Sequence, residues 1–354
     1  SNVTRLDSAF GYCTNLTNIS PIENWNIQSL KSINSIFDHC VNLINIEPIG
    51  YWNTSNIQTF SGVFRYCEKL EDISPIENWN LSHAGTLSQL FYNCKKLEDI
   101  SILSNWNITN VKNINYMFGE CFKLSDITAI TNWNVSNVTD INGLFIGCRI
   151  LTDLTPLSGW DVSAVTDMHY LFSKCTALSD LTPLRNWTTN NVTNLSEVFS
   201  RCTSLTTLSG LEGWHIPNIQ KLNYAFSGCT NLSIYHYINT WLMFNDTPSA
   251  ITLDYMFKDC TSISTTSELN HWDTSTVTSM KGMFYGCSGI TNAQGLSSFQ
   301  TGNVTNMSEM FYGCTMLTDA RCLEGWNITN ITDMFHMFYM SGVTSSTQPT
   351  WYTG

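Results

Sequence analysis

Cysteine has the most chemistry to offer in this chain, with thirteen copies beside seven histidines. Thiols ligate metals, pair as disulfides or act as nucleophiles. The spacing argues for none of these. Twelve of the cysteines stand three residues after a phenylalanine, one in each repeat, with no C-x-x-C and no pairing partner inside a repeat. A thiol in such a column acts as a small buried apolar group, with inter-repeat metal or thiol chemistry as the alternative. Only Cys322 stands off the ladder. The histidines (His39, His83, His169, His215, His236, His271 and His336) fall at scattered phases of the repeat, and no Cys/His set has zinc spacing. G-x-S-x-G, H-E-x-x-H, Walker and dinucleotide-binding motifs are absent, so the chain reads as non-catalytic.

The acidic residues form a more suggestive column. Asp72, Asp99, Asp126, Asp153 and Asp180 recur at one repeat position. Stacked about 5 Å apart, like charges repel by roughly 1 kcal/mol per pair in water, so something must offset them. Each carboxylate either accepts backbone N–H bonds, or the column forms a cation or polar stripe. Calcium is the possible cation, although it needs several oxygens per ion and the spacing is not that of a calcium motif. A tryptophan column runs through Trp25, Trp52, Trp79, Trp106, Trp133 and Trp160, and an asparagine column follows it. Both read as structural stacks, with sugar stacking on the tryptophans as the alternative. Sequons such as Asn107 and Asn330 arise readily in an Asn/Thr-rich repeat and are weak evidence of glycosylation.

These columns exist because the chain repeats. Phe10, Phe37, Phe64, Phe91, Phe118, Phe145, Phe172, Phe199 and Phe226 are 27 residues apart, and the series resumes at Phe257, Phe284, Phe311 and Phe338. A fixed period of this length is the signature of a solenoid, in which stacked units share one core. Within a repeat, Phe145, Cys148, Leu151, Leu154, Leu157 and Trp160 recur every three residues. The spacing predicts a strand over Leu151–Leu157, with Pro156 at its exit, and a short helix over Val165–Cys175. The fold class is therefore an α/β repeat solenoid of leucine-rich-repeat type. It has about thirteen 27-residue units, a parallel inner sheet and short helices on the opposite face. One continuous solenoid is expected over 1–340, irregular at 226–257, with 341–354 as a partial C-terminal cap or the start of a further segment.

Composition bounds the partners. A net charge of -12 argues against nucleic acid and against anionic lipid. No run of about 20 apolar residues is present to span a membrane. The chain opens in mid-repeat on Ser1, which reads as a mature product or a segment of something longer.

The segment Asn303-Val304-Thr305-Asn306-Met307-Ser308-Glu309-Met310-Phe311-Tyr312-Gly313-Cys314 resembles the repeats of BspA-like leucine-rich-repeat surface proteins, and Val277–Cys287 and Val138–Cys148 fit the same template. The resemblance covers nearly the whole chain. It implies an exported, cell-surface or secreted protein with a role in adhesion, and it supplies no catalytic residues.

The break in periodicity is the place to look for a partner site. Cys229 and Cys260 are 31 residues apart, and the extra residues follow Trp241. Insertions in repeat proteins map to loops, often on a binding face, and aromatic residues are enriched at binding hot spots. Tyr235, His236, Tyr237, Met243 and Phe244 are the ligand or partner contacts this predicts, with Tyr235–Tyr237 inside a strand. The expected function is adhesin-like binding of an extracellular protein, glycan or neighbouring cell. The alternative is a structural spacer, surface-layer or virion fibre component. Contact with itself or with further chain is expected through the solenoid ends.

Overall fold

The computed structural model describes residues 3–242 and 250–353. Backbone contacts divide the chain into two units, Ser1–Asp167 with Lys174–Ala177, and Met168–Ser173 with Leu178–Gly354. Both are built from the same repeat, as the solenoid reading requires.

In the first unit, parallel bridges link Arg5, Ser32, Thr59, Thr86, Asn113, Asp140 and Asp167, each to the next, so one backbone position per repeat forms a parallel ladder. After each bridge the chain turns repeatedly. Around Phe118, the N–H groups of Tyr116, Phe118 and Glu120 donate to Asn142, Leu144 and Ile146 in the next repeat, at 2.8, 3.0 and 2.5 Å. The intervening N–H groups of Met117, Gly119 and Cys121 close local turns on Ile114, Tyr116 and Phe118. Alternation of this kind needs a left-handed residue on either side of the phenylalanine, and Tyr116 and Glu120 have φ of 53° and 58°.

This corrects the expected helix. Over Val165–Cys175 the chain forms turns, with φ of 59° at Tyr170 and 62° at Lys174. An α-helix keeps every N–H bond within itself, whereas here every second N–H is given to a neighbouring repeat. Among the described residues there is no α-helix, and no helix is long and apolar enough to cross a membrane.

The expected strand is corrected as well. Leu151–Leu157 ends in the 3-10 helix Thr155–Leu157, with Pro156 in its first turn. A proline there loses no hydrogen bond, because the first N–H groups of a helix have no internal partner. The same short helix recurs at Ser20–Ile22, Glu47–Ile49, Ser74–Ile76, Ser101–Asn105 and Thr128–Ile130. Short helices and parallel pairing are thus both present, at the opposite ends of the repeat from those expected.

The second unit carries 3-10 helices at Thr182–Leu184, His236–Ile238, Ser267–Leu269, Gln294–Leu296 and Arg321–Leu323. Its parallel pairing includes bridges Asn194↔Lys221 and Asn306↔Asp333 and the strand pair Ile251–Thr252 with Val277–Ser279. Trp351 stacks on Trp326 at 6.3 Å and its indole N–H donates to the Leu323 carbonyl, while Tyr352 meets Phe338 edge-on.

Three side-chain columns run through the core beside its Leu and Ile columns. From Phe37 to Phe311 the phenylalanines have no solvent exposure. In the first unit their rings stack at 5.6–6.1 Å with planes within 13°. The cysteines lie beside them, and from Cys40 to Cys314 each ladder thiol donates to the carbonyl of the phenylalanine one repeat earlier, as in Cys94 to Phe64 at 3.2 Å. The tryptophans are buried too, and the Trp133 indole N–H donates to the Leu103 carbonyl at 3.0 Å. Those rings are therefore out of reach of a sugar, apart from exposed Trp25 and half-buried Trp351.

The thiol ladder has a pH consequence. Burial pushes the Cys40, Cys229 and Cys314 thiols from an ordinary value of 9.0 up to about 12. The folded chain holds these protons where the unfolded chain releases them. Stability is thus fully present below about pH 9 and lost as pH rises through the window towards 12. Thermal melts from pH 7 to 11 should show a falling midpoint, and a flat profile would contradict thiol burial. At neutral pH a thiol reagent should modify exposed Cys13 quickly, half-buried Cys322 slowly, and the eleven buried cysteines only on unfolding.

Candidate functional site

The turns that replace the expected helix place side chains on a half-exposed face next to the parallel bridges. Aromatic residues collect there, at positions two before, one after and two after the core phenylalanine. In the first unit Tyr12 stacks on His39 at 4.3 Å, and His39 stacks on Tyr66 at 4.1 Å. Tyr92 continues the row edge-on from Tyr66 and meets Tyr116 at 5.8 Å. The ring of Tyr116 lies across Gly143, where an added Cβ would come within 2.3 Å of it. Gly143 also has φ of 58°, so this position is closed to a side chain on two grounds.

Charged groups lock this row. Asp38, whose side chain is 5% exposed, accepts Arg65 Nε and Nη2 at 2.9 and 2.7 Å and contacts His39 Nδ1 at 2.8 Å. Hydrogen bonding to that carboxylate raises the Arg65 pKa. Burial, together with neighbouring Tyr66 and Glu120, pushes the Tyr92 phenol up to about 12.

In the second unit Tyr224 stacks on Tyr255 at 4.9 Å, and Tyr285 stacks on Tyr312 at 4.5 Å with planes 3° apart. Tyr339 follows at 5.4 Å, beside His336 and Phe335. The Tyr255 hydroxyl reaches past Gly282 to donate to Glu309 at 2.5 Å. Burial first, then that bond, raises its pKa. The Lys258 ammonium sits 4.8 Å from the Tyr285 ring centre. Phe335 and Tyr339 are 66% and 49% exposed, large values for apolar rings. Sequence reading missed both ladders. Their signal is present in the columns, as Tyr116, Tyr170, Tyr224 and Tyr255 share one position.

The predicted partner site fares differently. Tyr235 is 1% exposed, and its hydroxyl donates to the Thr265 carbonyl. It lies in the core and cannot touch a ligand from there, which corrects its assignment as a contact. The surrounding strand is corrected too, since Ile234 bridges Thr207 and His236–Ile238 is a 3-10 helix. His236 is exposed, and its ring lies 4.1 Å from that of half-buried Tyr237 with the planes tilted by 33°. Met243 and Phe244 lie outside the described residues.

The aspartate column is exposed, and each member caps its own turn. Asp72, Asp99, Asp126, Asp153 and Asp180 accept the N–H two residues on, at 2.8 Å. Hydrogen bonds from Ser101, backbone first and then side chain, lower the Asp99 pKa, and those from Thr155, side chain first and then backbone, lower that of Asp153; such bonds offset the repulsion along the column. Among the described residues, no group of three or more His, Cys, Asp or Glu side chains is arranged to hold a metal ion.

The chain is similar to solved leucine-rich-repeat proteins of bacteria. A leucine-rich cell surface protein of Faecalibacterium prausnitzii is 17% identical with a TM-score of 0.32, covering 69% of this chain and 73% of that one. A leucine-rich-repeat protein of Eubacterium ventriosum is 15% identical with a TM-score of 0.39, covering 92% and 84%. One of Bacteroides ovatus is 14% identical with a TM-score of 0.34, covering 97% and 88%. No curated protein matches the sequence. The family profile described as "Mycoplasma protein of unknown function, DUF285" matches residues 4–129, 121–241 and 251–353. With that profile laid three times over nearly its whole length, this BspA-like leucine-rich-repeat chain belongs to the DUF285 family.

Proposed function

We propose that the chain is a non-catalytic, adhesin-like surface protein that binds an extracellular protein through its ring ladders. One observation carries this reading. On a chain whose surface is rich in Asn, Ser and Thr, the face beside the bridges gathers Tyr285, Tyr312, Tyr339, His336 and Phe335 into one contiguous, partly exposed row. Rigid aromatic side chains give large contact area at low entropy cost, and they dominate binding hot spots. The rings of Tyr285 and Tyr312 cover one another's faces, which leaves edges and hydroxyls for a partner. Sugars stack on ring faces, so the arrangement favours a protein over a glycan. The resemblance of the repeats to those of exported surface proteins supports the location.

The test is binding of the purified chain to a panel of matrix proteins, mucin glycans and whole cells, beside a variant carrying Tyr285→Ser, Tyr312→Ser and Tyr339→Ser. Saturable binding to a protein is expected, weakened at least about tenfold in the variant, with little change in melting temperature. Binding unaffected by the triple variant would sink the ladder as the contact surface. Self-association without any other partner would favour the spacer reading.

A further inference from the structure

On the side of the repeat that carries the 3-10 helices, the first unit has an open groove of about 740 Å³ between the helices Glu47–Ile49 and Ser74–Ile76. We infer that this groove docks an extended peptide segment of a partner protein that presents an arginine beside an apolar side chain. The site is separate from the ring ladders and does not depend on them.

The groove is an enlarged form of a cleft that the repeat makes elsewhere. Two repeats further on, the equivalent cleft beside Asp99 and Asp126 holds about 230 Å³. Three departures from the repeat enlarge and line the first one. Gly50 stands where other repeats carry Glu, Ser, Thr, Asn or Arg. Ile44 and Tyr51 replace polar residues of their columns, and they are 54% and 74% exposed. Around these apolar groups stand Glu47, Asp72 and Glu77, and no Lys, Arg or His lines the groove.

The second unit shows what such acids take. Asp319, in the column of Asp72, accepts Arg321 through Nε at 3.0 Å and Nη2 at 2.5 Å. It does so while still accepting the Arg321 backbone N–H at 2.9 Å. The guanidinium holds the Asp319 carboxyl down to about 2. Glu212, in the column of Glu77, accepts Arg185 Nε at 2.8 Å. Arg185 occupies the column of Gly50. In the first unit the acids are kept and both arginines are missing, since Ser74 stands at the position of Arg321 and Gly50 at that of Arg185. Asp72 keeps one oxygen for its turn, and Glu77 accepts Asn105 through one oxygen at 2.9 Å. Their second oxygens have no partner among the described residues. A guanidinium from outside meets the same acceptors as the two internal ones, and its neighbour on the peptide rests on Ile44 and Tyr51. Charge complementarity with a groove lined by Glu47, Asp72 and Glu77 and by no basic residue makes the occupant cationic, and a carboxylate that takes a guanidinium through both oxygens, as Asp319 does, suits the planar fork of arginine better than the point charge of lysine.

The test uses the full chain and a fluorescein-labelled peptide, Gly-Ser-Arg-Trp-Ser-Gly, followed by fluorescence anisotropy. Controls replace arginine by citrulline or tryptophan by serine. Saturable binding is expected for the first peptide, with a loss of at least about tenfold for the citrulline peptide. The same loss is expected when the chain carries Asp72→Asn and Glu77→Gln. Asparagine already holds this turn at Asn18 and Asn45, so that variant should fold. Tyr51→Ser should weaken the tryptophan peptide and leave the serine control unchanged. Equal binding of arginine and citrulline peptides overturns the inference, as does unchanged binding by the double variant or no saturation at millimolar peptide. Peptide binding retained by the Tyr285, Tyr312 and Tyr339 variant separates this site from the ring ladders.

Discussion

Phe118→Ala is expected to lower stability by about 3–5 kcal/mol, the cost of emptying a large buried site that cannot collapse. The ring has no solvent exposure and lies between Phe91 at 6.1 Å and Phe145 at 5.9 Å, with Trp133 at 6.4 Å. Neither neighbour can move in to fill the gap. Each is held in register by the backbone bonds between repeats, such as Phe118 N–H to Leu144 at 3.0 Å. A repeat array fails locally, because each unit is stabilised only by its neighbours. The loss should therefore appear first as faster amide exchange in the repeats around Phe91, Phe118 and Phe145, and then as a lower midpoint in denaturant. A Phe118→Ala chain that unfolds within about 1 kcal/mol of the parent would contradict the column as core, since core phenylalanine truncations rarely cost so little.

That core was legible because a column is a strong statistical object. A buried position repeated twelve times identifies itself whatever secondary structure carries it, and the Phe, Cys and Trp columns all lie where periodicity put them. The conformation between them was not legible in the same way. A period near three fits both a helix and a run of turns whose alternate N–H groups bond the next repeat. What distinguishes them is the left-handed residues flanking each phenylalanine. At Gly62, Gly143, Gly147 and Gly282 the sequence shows this, but at Tyr116, Glu120, Tyr170 and Lys174 it does not. A β-branched residue is a genuine outlier in that conformation, and none occupies either column. The absence of Val, Ile and Thr from two columns is the signal that would have exposed the turns.

The aspartates were legible to a degree. Repulsion along the column required an offset, and the bond to the N–H two residues on supplies it, at the start of a 3-10 helix rather than a strand edge. The groove beside Gly50 was invisible for the opposite reason. It depends on three single departures, at Ile44, Gly50 and Tyr51, each unremarkable alone. They meet only because residues seven, thirteen and fourteen after one phenylalanine come together on the folded repeat.

Tyr235→Ser and Tyr237→Ser should separate by several kcal/mol although the residues are two apart. Tyr235 stands in a column held elsewhere by Ile19, Ile46, Ile73, Ile100, Ile127, Leu154, Leu181 and Leu208, all core positions. A tyrosine fits because the next members of the column shrink to Thr266, Ala293 and Ala320, and Thr266 is fully buried. The larger ring extends over the smaller residue, 5.5 Å from Phe257, and its hydroxyl ends on the Thr265 carbonyl. Serine would leave a cavity of ring size and an unpaired carbonyl, at a cost of about 3–5 kcal/mol. Tyr235→Phe loses only the hydroxyl bond, about 1 kcal/mol. Tyr237 is half-buried on the exposed 3-10 helix beside His236, and its replacement should cost under about 1 kcal/mol. Equilibrium denaturation of the three variants, with the m-value checked for each, decides the matter. If Tyr235→Ser left stability unchanged and removed partner binding, the aromatic run would be a contact surface after all. If it destabilised while the ladder variants bound weakly and melted normally, the break in the repeat is a packing adjustment and the partner surface lies on the face beside the bridges.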